Sequence, residues 1–114
     1  MDPTARTHEL IDVTECLTAV IDQENALLKE LRVKEIGALQ QEKTSLSGLY
    51  ELRMREAIQD AVAFNAVAPE VRDRLRNASE AFDRSAQRNA SALKAALEMN
   101  TRMVHKIAQL ATRQ

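Results

Sequence analysis

Two histidines, one cysteine and scattered carboxylates are the side chains of this 114-residue sequence that could carry out acid–base or metal chemistry. His8 and His105 stand near opposite ends of the chain, and no Gly-rich phosphate loop, HExxH motif or cysteine pair accompanies them. A helical bundle can present a phosphorylatable histidine, but the stretch VHKIAQLA around His105 lacks a Lys-Gly step that would let a phosphoryl group approach. We therefore predict a protein that is not an enzyme and that needs neither a cofactor nor a metal.

The single cysteine, Cys16, cannot form an internal disulfide. It stands beside Val13, Leu17 and Val20 on a predicted helix and has no basic neighbour that would activate the thiol, so we interpret it as a small buried apolar side chain. No apolar signal segment follows the N-terminus, and no run of 18 apolar residues occurs. These features predict a cytoplasmic protein without membrane insertion.

Composition favours a helical protein over a disordered or nucleic-acid-binding one. Hydrophobic residues make up 45% of the chain and charged residues 29%, with a formal net charge of -1. Residues 1–57 hold 7 basic and 11 acidic side chains, whereas residues 58–114 hold 9 and 6. The arginines of the second half alternate with acids, and only three aromatic residues occur, so we predict no nucleic-acid partner.

Apolar spacing and helix-breaking residues predict one all-α domain over residues 1–114, a three-helix antiparallel coiled-coil bundle with a long C-terminal helix. Asp2 and Pro3 suit the start of the first helix, at about 3–34. Gly37 and a gap in the apolar pattern place a turn near 34–38, before a second helix at about 38–64. Pro69 begins a third helix at about 69–112.

The third predicted helix is too long for its neighbours. At 1.5 Å per residue it measures about 65 Å, so it must extend roughly 20 Å past the hairpin of the first two helices. Its apolar stripe from Leu93 to Leu110 must then face solvent, a second copy or a partner helix. The stripe is therefore either a partner-binding surface or an ordinary core or homodimer seam.

Four polar or small residues interrupt the apolar seams, namely Glu24, Lys43, Gly48 and Asn89. Buried polar groups in coiled coils select one helix alignment, so we interpret Glu24 and Asn89 as register-setting and expect Asn89→Leu to raise thermal stability. With a turn near residue 36, Glu24 would face Gly48, and a direct pair between Glu24 and Lys43 is not expected. Gly48 would then mark the close approach of a neighbour.

The order of these features resembles the FlgN-type flagellar export chaperones. Shared features are an acidic residue followed by leucines (Glu24, then Leu27 and Leu28), a second helix that opens QQEKTSLSGLYELR, and a last helix with the Asn-containing stretch RNASALKAALEMNTRMVHKIAQL. The match covers most of residues 10–111. Longer members of that family carry a tail after the last helix, implicated in client and export-gate contact, whereas this sequence has 114 residues.

The resemblance implies a cytoplasmic chaperone that binds C-terminal helical segments of FlgK-like and FlgL-like hook–filament junction proteins before type III export, with export-apparatus components as further partners. The alternative is a self-associating structural coiled coil without a client, in which homo-oligomers form. Basic residues at 94, 102, 106 and 113 surround the last apolar stripe against the single acid Glu98, which suits a weakly acidic amphipathic client helix. The expected client-binding residues are Leu93, Leu97, Met103, Val104, Ile107 and Leu110.

Overall fold

The computed structural model describes residues 2–112, and in that range the chain forms an all-α antiparallel bundle, as predicted. Three long helices and one short helix follow in the order α1 (Pro3–Lys29), α2 (Val33–Gln59), α3 (Ala61–Asn65) and α4 (Pro69–Thr112). The second predicted helix covers both α2 and the short α3, which are separated at Asp60.

The starts of α1 and α4 follow from their first residues. The Asp2 carboxylate accepts a hydrogen bond of 2.7 Å from the Ala5 backbone N–H, so it caps one of the amides that the first turn leaves unpaired. Pro3 and Pro69 occupy first helical positions, where the missing N–H costs nothing. Pro69 also disfavours helical geometry at Ala68, which separates α4 from the segment before it.

The turn between α1 and α2 lies at residues 30–32, earlier than the predicted 34–38. Leu31 adopts the left-handed conformation with φ 53°, and the N–H groups of Arg32 and Leu31 donate to the carbonyls of Leu27 and Leu28. This pattern is the Schellman motif, in which a left-handed residue ends a helix, and glycine usually fills that place. The prediction of a turn at Gly37 is wrong, because Gly37 lies inside α2 with ordinary helical geometry.

Helix α1 is the centre of the bundle, because it lies between α2 and α4 and supplies most of the core. No residue of α2 is fully buried, and α4 buries only the small or polar side chains of Ala78, Ser85 and Asn89. The buried apolar side chains of α1 are Leu10, Ile11, Val13, Leu17, Val20, Ile21 and Leu28.

The prediction that Cys16 is buried is wrong, since its side chain is exposed. Thr7 and Thr14 take inner positions instead, and the hydroxyl of Thr14 donates a hydrogen bond of 2.6 Å to the Leu10 carbonyl. The centre of the buried stripe of α1 lies about 130° of helical rotation from Cys16, so Cys16 lies outside that stripe.

The expectation of a close neighbour at Gly48 is also wrong. A Cβ placed on Gly48 would meet no atom within 4 Å, because Gly48 lies on the outer face of α2. We expect Gly48→Ala to raise the free energy of unfolding by about 1 kcal/mol, since alanine loses less backbone entropy in a helix interior. Thermal unfolding should show a midpoint about 4–8 °C higher than that of the wild type. A lower midpoint would mean that this face of α2 is covered.

The bundle is elongated, with a radius of gyration of 19.2 Å and extents of 70 × 22 × 21 Å. A compact domain of this length would have a radius of gyration of about 13 Å. The prediction of an elongated particle is therefore confirmed, and the long axis follows α4.

Candidate functional site

The C-terminal part of α4 extends past the α1–α2 hairpin, and we call residues 97–112 the projection. Where the hairpin turns, Leu28 and Leu31 border a hollow of about 210 Å³ whose other wall is formed by Ala92, Ala96 and Met99. Every residue of the projection is exposed. Sixteen helical residues span about 24 Å, close to the overhang expected from helix lengths alone.

All six residues predicted to bind a client are exposed on α4. Leu97 and Val104 are 66% and 58% exposed, and Met103 and Leu110 are each 56% exposed. Leu93 and Ile107 are also exposed, at the start and toward the end of the same surface. Large apolar side chains that recur at helical spacing without a covering helix form a face on which a partner helix can pack.

Charged residues border this surface with an excess of positive charge. Lys94, Arg102 and Lys106 are exposed around the projection. The described residues from Leu93 to Thr112 contain one acidic side chain, Glu98. Arg113, the fourth basic residue of the predicted site, lies outside the described residues. A basic border attracts acidic partners and sets their approach.

A polar layer, buried on α1 and α4 and partly exposed on α2, holds the three long helices together just below the projection. We use the name polar layer for Glu24 and Asn25 of α1, Gln40 and Lys43 of α2, and Ser85 and Asn89 of α4. Glu24 is at its centre and is only 1% exposed. Its carboxylate accepts hydrogen bonds from the Lys43 ammonium at 2.8 Å, the Gln40 amide at 2.6 Å and the Asn89 amide at 2.6 Å.

The layer continues from Asn89 into the α1–α4 interface. The Asn89 amide also donates to Asn25 Oδ1 at 2.9 Å, and Asn25 in turn donates to the Ser85 carbonyl at 3.2 Å. The Ser85 hydroxyl donates to an Asp22 carboxylate oxygen at 2.5 Å. One carboxylate thus fixes the positions of α2 and α4 relative to α1.

The expectation that Glu24 and Lys43 do not pair directly is wrong, and the earlier turn explains why. With the turn centred on Leu31, the residues opposite Glu24 are about five positions closer to the turn than expected, so Lys43 reaches the carboxylate and Gly48 does not. Asn25, Gln40 and Ser85 were not identified from the sequence. For Asn25 the signal was the breadth of the α1 stripe, since a helix between two others buries adjacent positions such as 24 and 25.

The side-chain amide of Asn89 donates hydrogen bonds to both Glu24 and Asn25, so Asn89→Leu should lower the stability of the fold instead of raising it. The substitution would remove donors from Glu24 and Asn25, and a buried polar group left without its partner costs about 1–3 kcal/mol. We now expect Asn89→Leu to lower the free energy of unfolding by about 2 kcal/mol. Urea unfolding measures this change, and an unchanged or higher stability would show that water replaces the lost donor.

Two opposing effects set the pKa of Glu24. Burial acts to raise it, but the hydrogen bonds from Lys43, Gln40 and Asn89 and the positive charge of Lys43 together hold the pKa below its ordinary value of 4.5. A carboxyl group whose pKa is lower in the folded state stabilises the fold above its unfolded-state pKa. That contribution is lost as the pH falls below 4.5 and through the lowered pKa.

The pH dependence of Glu24→Gln tests this assignment. We expect the variant to be less stable than the wild type at pH 7, and the difference to shrink as the pH falls from about 5 to 3, because only the wild type loses the Glu24 carboxylate there. Urea unfolding of both proteins over this range measures the difference. A difference that stays constant with pH would contradict the assignment.

Other residues that could carry chemistry remain apart. His105 is exposed on the projection, whereas His8 lies on α1 near the opposite end of the bundle. Within residues 2–112 no group of three or more His, Cys, Asp or Glu side chains is placed to hold a metal ion. In the same range, none of the helices has both the length and the apolar character needed to span a bilayer.

The fold and the site define an all-α bundle that positions an uncovered amphipathic helix end above a buried polar layer. The chain belongs to the family of the flagellar basal-body protein FlbY of Caulobacter vibrioides. It is 30% identical to that protein over 109 residues, which cover 96% of this chain and 73% of the relative. No protein-family model matches the sequence, and no solved structure matches the chain.

Proposed function

We propose that this protein is a flagellar type III export chaperone that binds C-terminal helical segments of hook–filament junction proteins in the cytoplasm. The observation that carries the proposal is the projection, where six large apolar side chains lie exposed on one helix. Membership in the family of a flagellar basal-body protein supports a flagellar setting. The resemblance to FlgN-type chaperones supplies the client class.

The described geometry suits a binder of amphipathic helices. An apolar stripe can cover the apolar face of a client helix, and methionines such as Met103 adapt to different side chains. The basic border would favour client helices with acidic flanks. Such binding requires no catalytic group, only a projection held in a fixed orientation, and the polar layer supplies that orientation through α4.

A structural role is the competing proposal, because the relative is described as a basal-body protein and an exposed apolar helix can also self-associate. Size-exclusion chromatography with light scattering separates the two. For a chaperone, we expect a monomer alone and a stable complex after addition of the C-terminal segment of a FlgK-like or FlgL-like protein. A chain that oligomerises alone and binds neither segment would support the structural role.

A further inference from the structure

Helix α4 packs mainly against α1 and meets side chains of α2, and these contacts define two sides of it. The side that faces α1 includes Ser85, whose carbonyl accepts a hydrogen bond from Asn25 of α1. The side that faces α2 includes Phe82, whose ring lies 4.9 Å from that of Tyr50 of α2. At 100° per residue, the α4 positions that are buried or half-buried between 78 and 96 span an arc of about 160°.

The projection repeats this arc in exposed apolar side chains. Continuing the same helical rotation, Met99, Met103 and Leu110 fall on the α1-facing side, and Leu97 and Val104 fall on the α2-facing side. Ile107 lies between the two sides. Asn100 also lies near the middle, eleven residues after Asn89 and on nearly the same side of α4.

An apolar arc of this width exceeds what one partner helix covers. The seam that one coiled-coil partner covers is narrower than the roughly 100° stripe a helix turns toward a core, so one client helix would leave either the Met103 side or the Leu97 side in water. Within the bundle, α1 covers most of this arc, and side chains of α2 such as Tyr50 cover its other edge. The hollow of about 210 Å³ beside Leu28 and Leu31 provides space at the point where α1 ends and a helix continuing its path would begin.

Charged side chains at the two edges of the arc favour one kind of partner on the projection. Lys106 borders the α1-facing side and Lys94 the α2-facing side. Residues 93–112 of each copy carry three basic side chains against Glu98, so like net charge would oppose the packing of two copies. Client helices with acidic flanks would meet both lysines favourably.

We propose that the projection binds two client helices at once, an acidic-flanked amphipathic pair that continues the paths of α1 and α2 beyond the hairpin. This inference rests on the proposed function and specifies the form of its client. The client pair would rebuild, around residues 97–112, the three-helix packing that the chain itself forms around residues 78–96.

Two designed peptides test the proposal by titration calorimetry with the full chain. One is a single amphipathic helix of about 21 residues, with leucines at heptad seam positions and glutamates beside them. The other joins two copies of that helix through a flexible Gly/Ser linker. We expect two single peptides per chain but one tandem peptide per chain, and at least about 10-fold tighter binding of the tandem.

Two matched double variants test whether each side of the projection binds one peptide helix. Leu97→Glu/Val104→Glu alters the α2-facing side, and Met103→Glu/Leu110→Glu alters the α1-facing side, with the same seven-residue spacing and similar exposure. Each variant should reduce the single-peptide stoichiometry from two to one and remove the gain from tethering. Far-UV circular dichroism confirms helicity, and if one pair loses it, Met103→Glu alone and Val104→Glu alone replace the pairs.

One single peptide per chain without a gain from tethering would overturn the proposal, as would the absence of binding by both peptides. Dimerisation of the chain alone in light scattering would show that a second copy covers the surface and would overturn it too. Binding of a junction-protein segment through one helix would overturn this inference while leaving the proposed function intact. Binding of peptide pairs without binding of any junction-protein segment would overturn the proposed function alone.

Discussion

Lys43→Met is expected to lower the free energy of unfolding by about 3 kcal/mol, because it leaves the Glu24 carboxylate, which is 1% exposed, without its cation. Methionine can fill the space of the aliphatic part of lysine, so the loss of packing is small. The hydrogen bonds from Gln40 and Asn89 remain but do not neutralise the charge. Urea unfolding at pH 7 measures the change.

Lys34→Met is the matched control for this prediction, since Lys34 lies on the same helix and is exposed. Its effect should stay within about 0.5 kcal/mol, as for most surface substitutions. Adding Glu24→Leu to Lys43→Met should recover much of the loss, because removing both charges of a buried pair is often neutral or stabilising. Equal effects of Lys43→Met and Lys34→Met would show that the ion pair does not hold the bundle together.

Leu97→Glu/Val104→Glu is expected to weaken binding of a junction-protein C-terminal segment by at least about 100-fold. Each apolar side chain that is covered on binding contributes about 1.5–3 kcal/mol, and a tenfold change in affinity corresponds to about 1.4 kcal/mol. Both side chains are more than half exposed, so far-UV helicity should stay nearly unchanged. Titration calorimetry measures the affinity of both proteins.

Ile58→Glu/Val62→Glu is the matched control for binding, because these apolar side chains are 71% and 84% exposed at the opposite end of the bundle. This pair should bind the segment like the wild type. If the projection variant unfolds, its stripe belongs to a core, and if it stays folded and binds normally, the client docks elsewhere, with the hairpin of α1 and α2 as the next surface to test.

Strong local signals in the sequence predicted most of the fold. Proline permits only a few backbone positions, so Pro3 and Pro69 marked helix starts correctly. The uninterrupted pattern after Pro69 predicted a helix longer than its neighbours, and simple length arithmetic then predicted the exposed end. The end of α4 is exposed because α4 is longer than its neighbours. It could therefore be predicted without knowing which residues are in contact.

The α1–α2 turn was harder to predict because local and tertiary preferences disagree there. Gly37 and the polar residues near it favoured a later turn, but the chain turns at Leu31, a residue that rarely adopts left-handed geometry. A shift of about five residues in the turn changes the partners of every residue in the hairpin. The Glu24–Lys43 pair, and with it the polar layer, could therefore not be derived until the turn was placed.

Hydrogen exchange measured by mass spectrometry, with and without a bound junction-protein C-terminal segment, tests most directly whether the projection is the client site. Without a partner, the amides of residues 97–112 belong to a helix end that no other helix covers, so they should exchange faster than those of α1. If the projection is the client site, binding slows exchange mainly in residues 97–112. Protection confined to α1 and α2, with the projection unchanged, would contradict it.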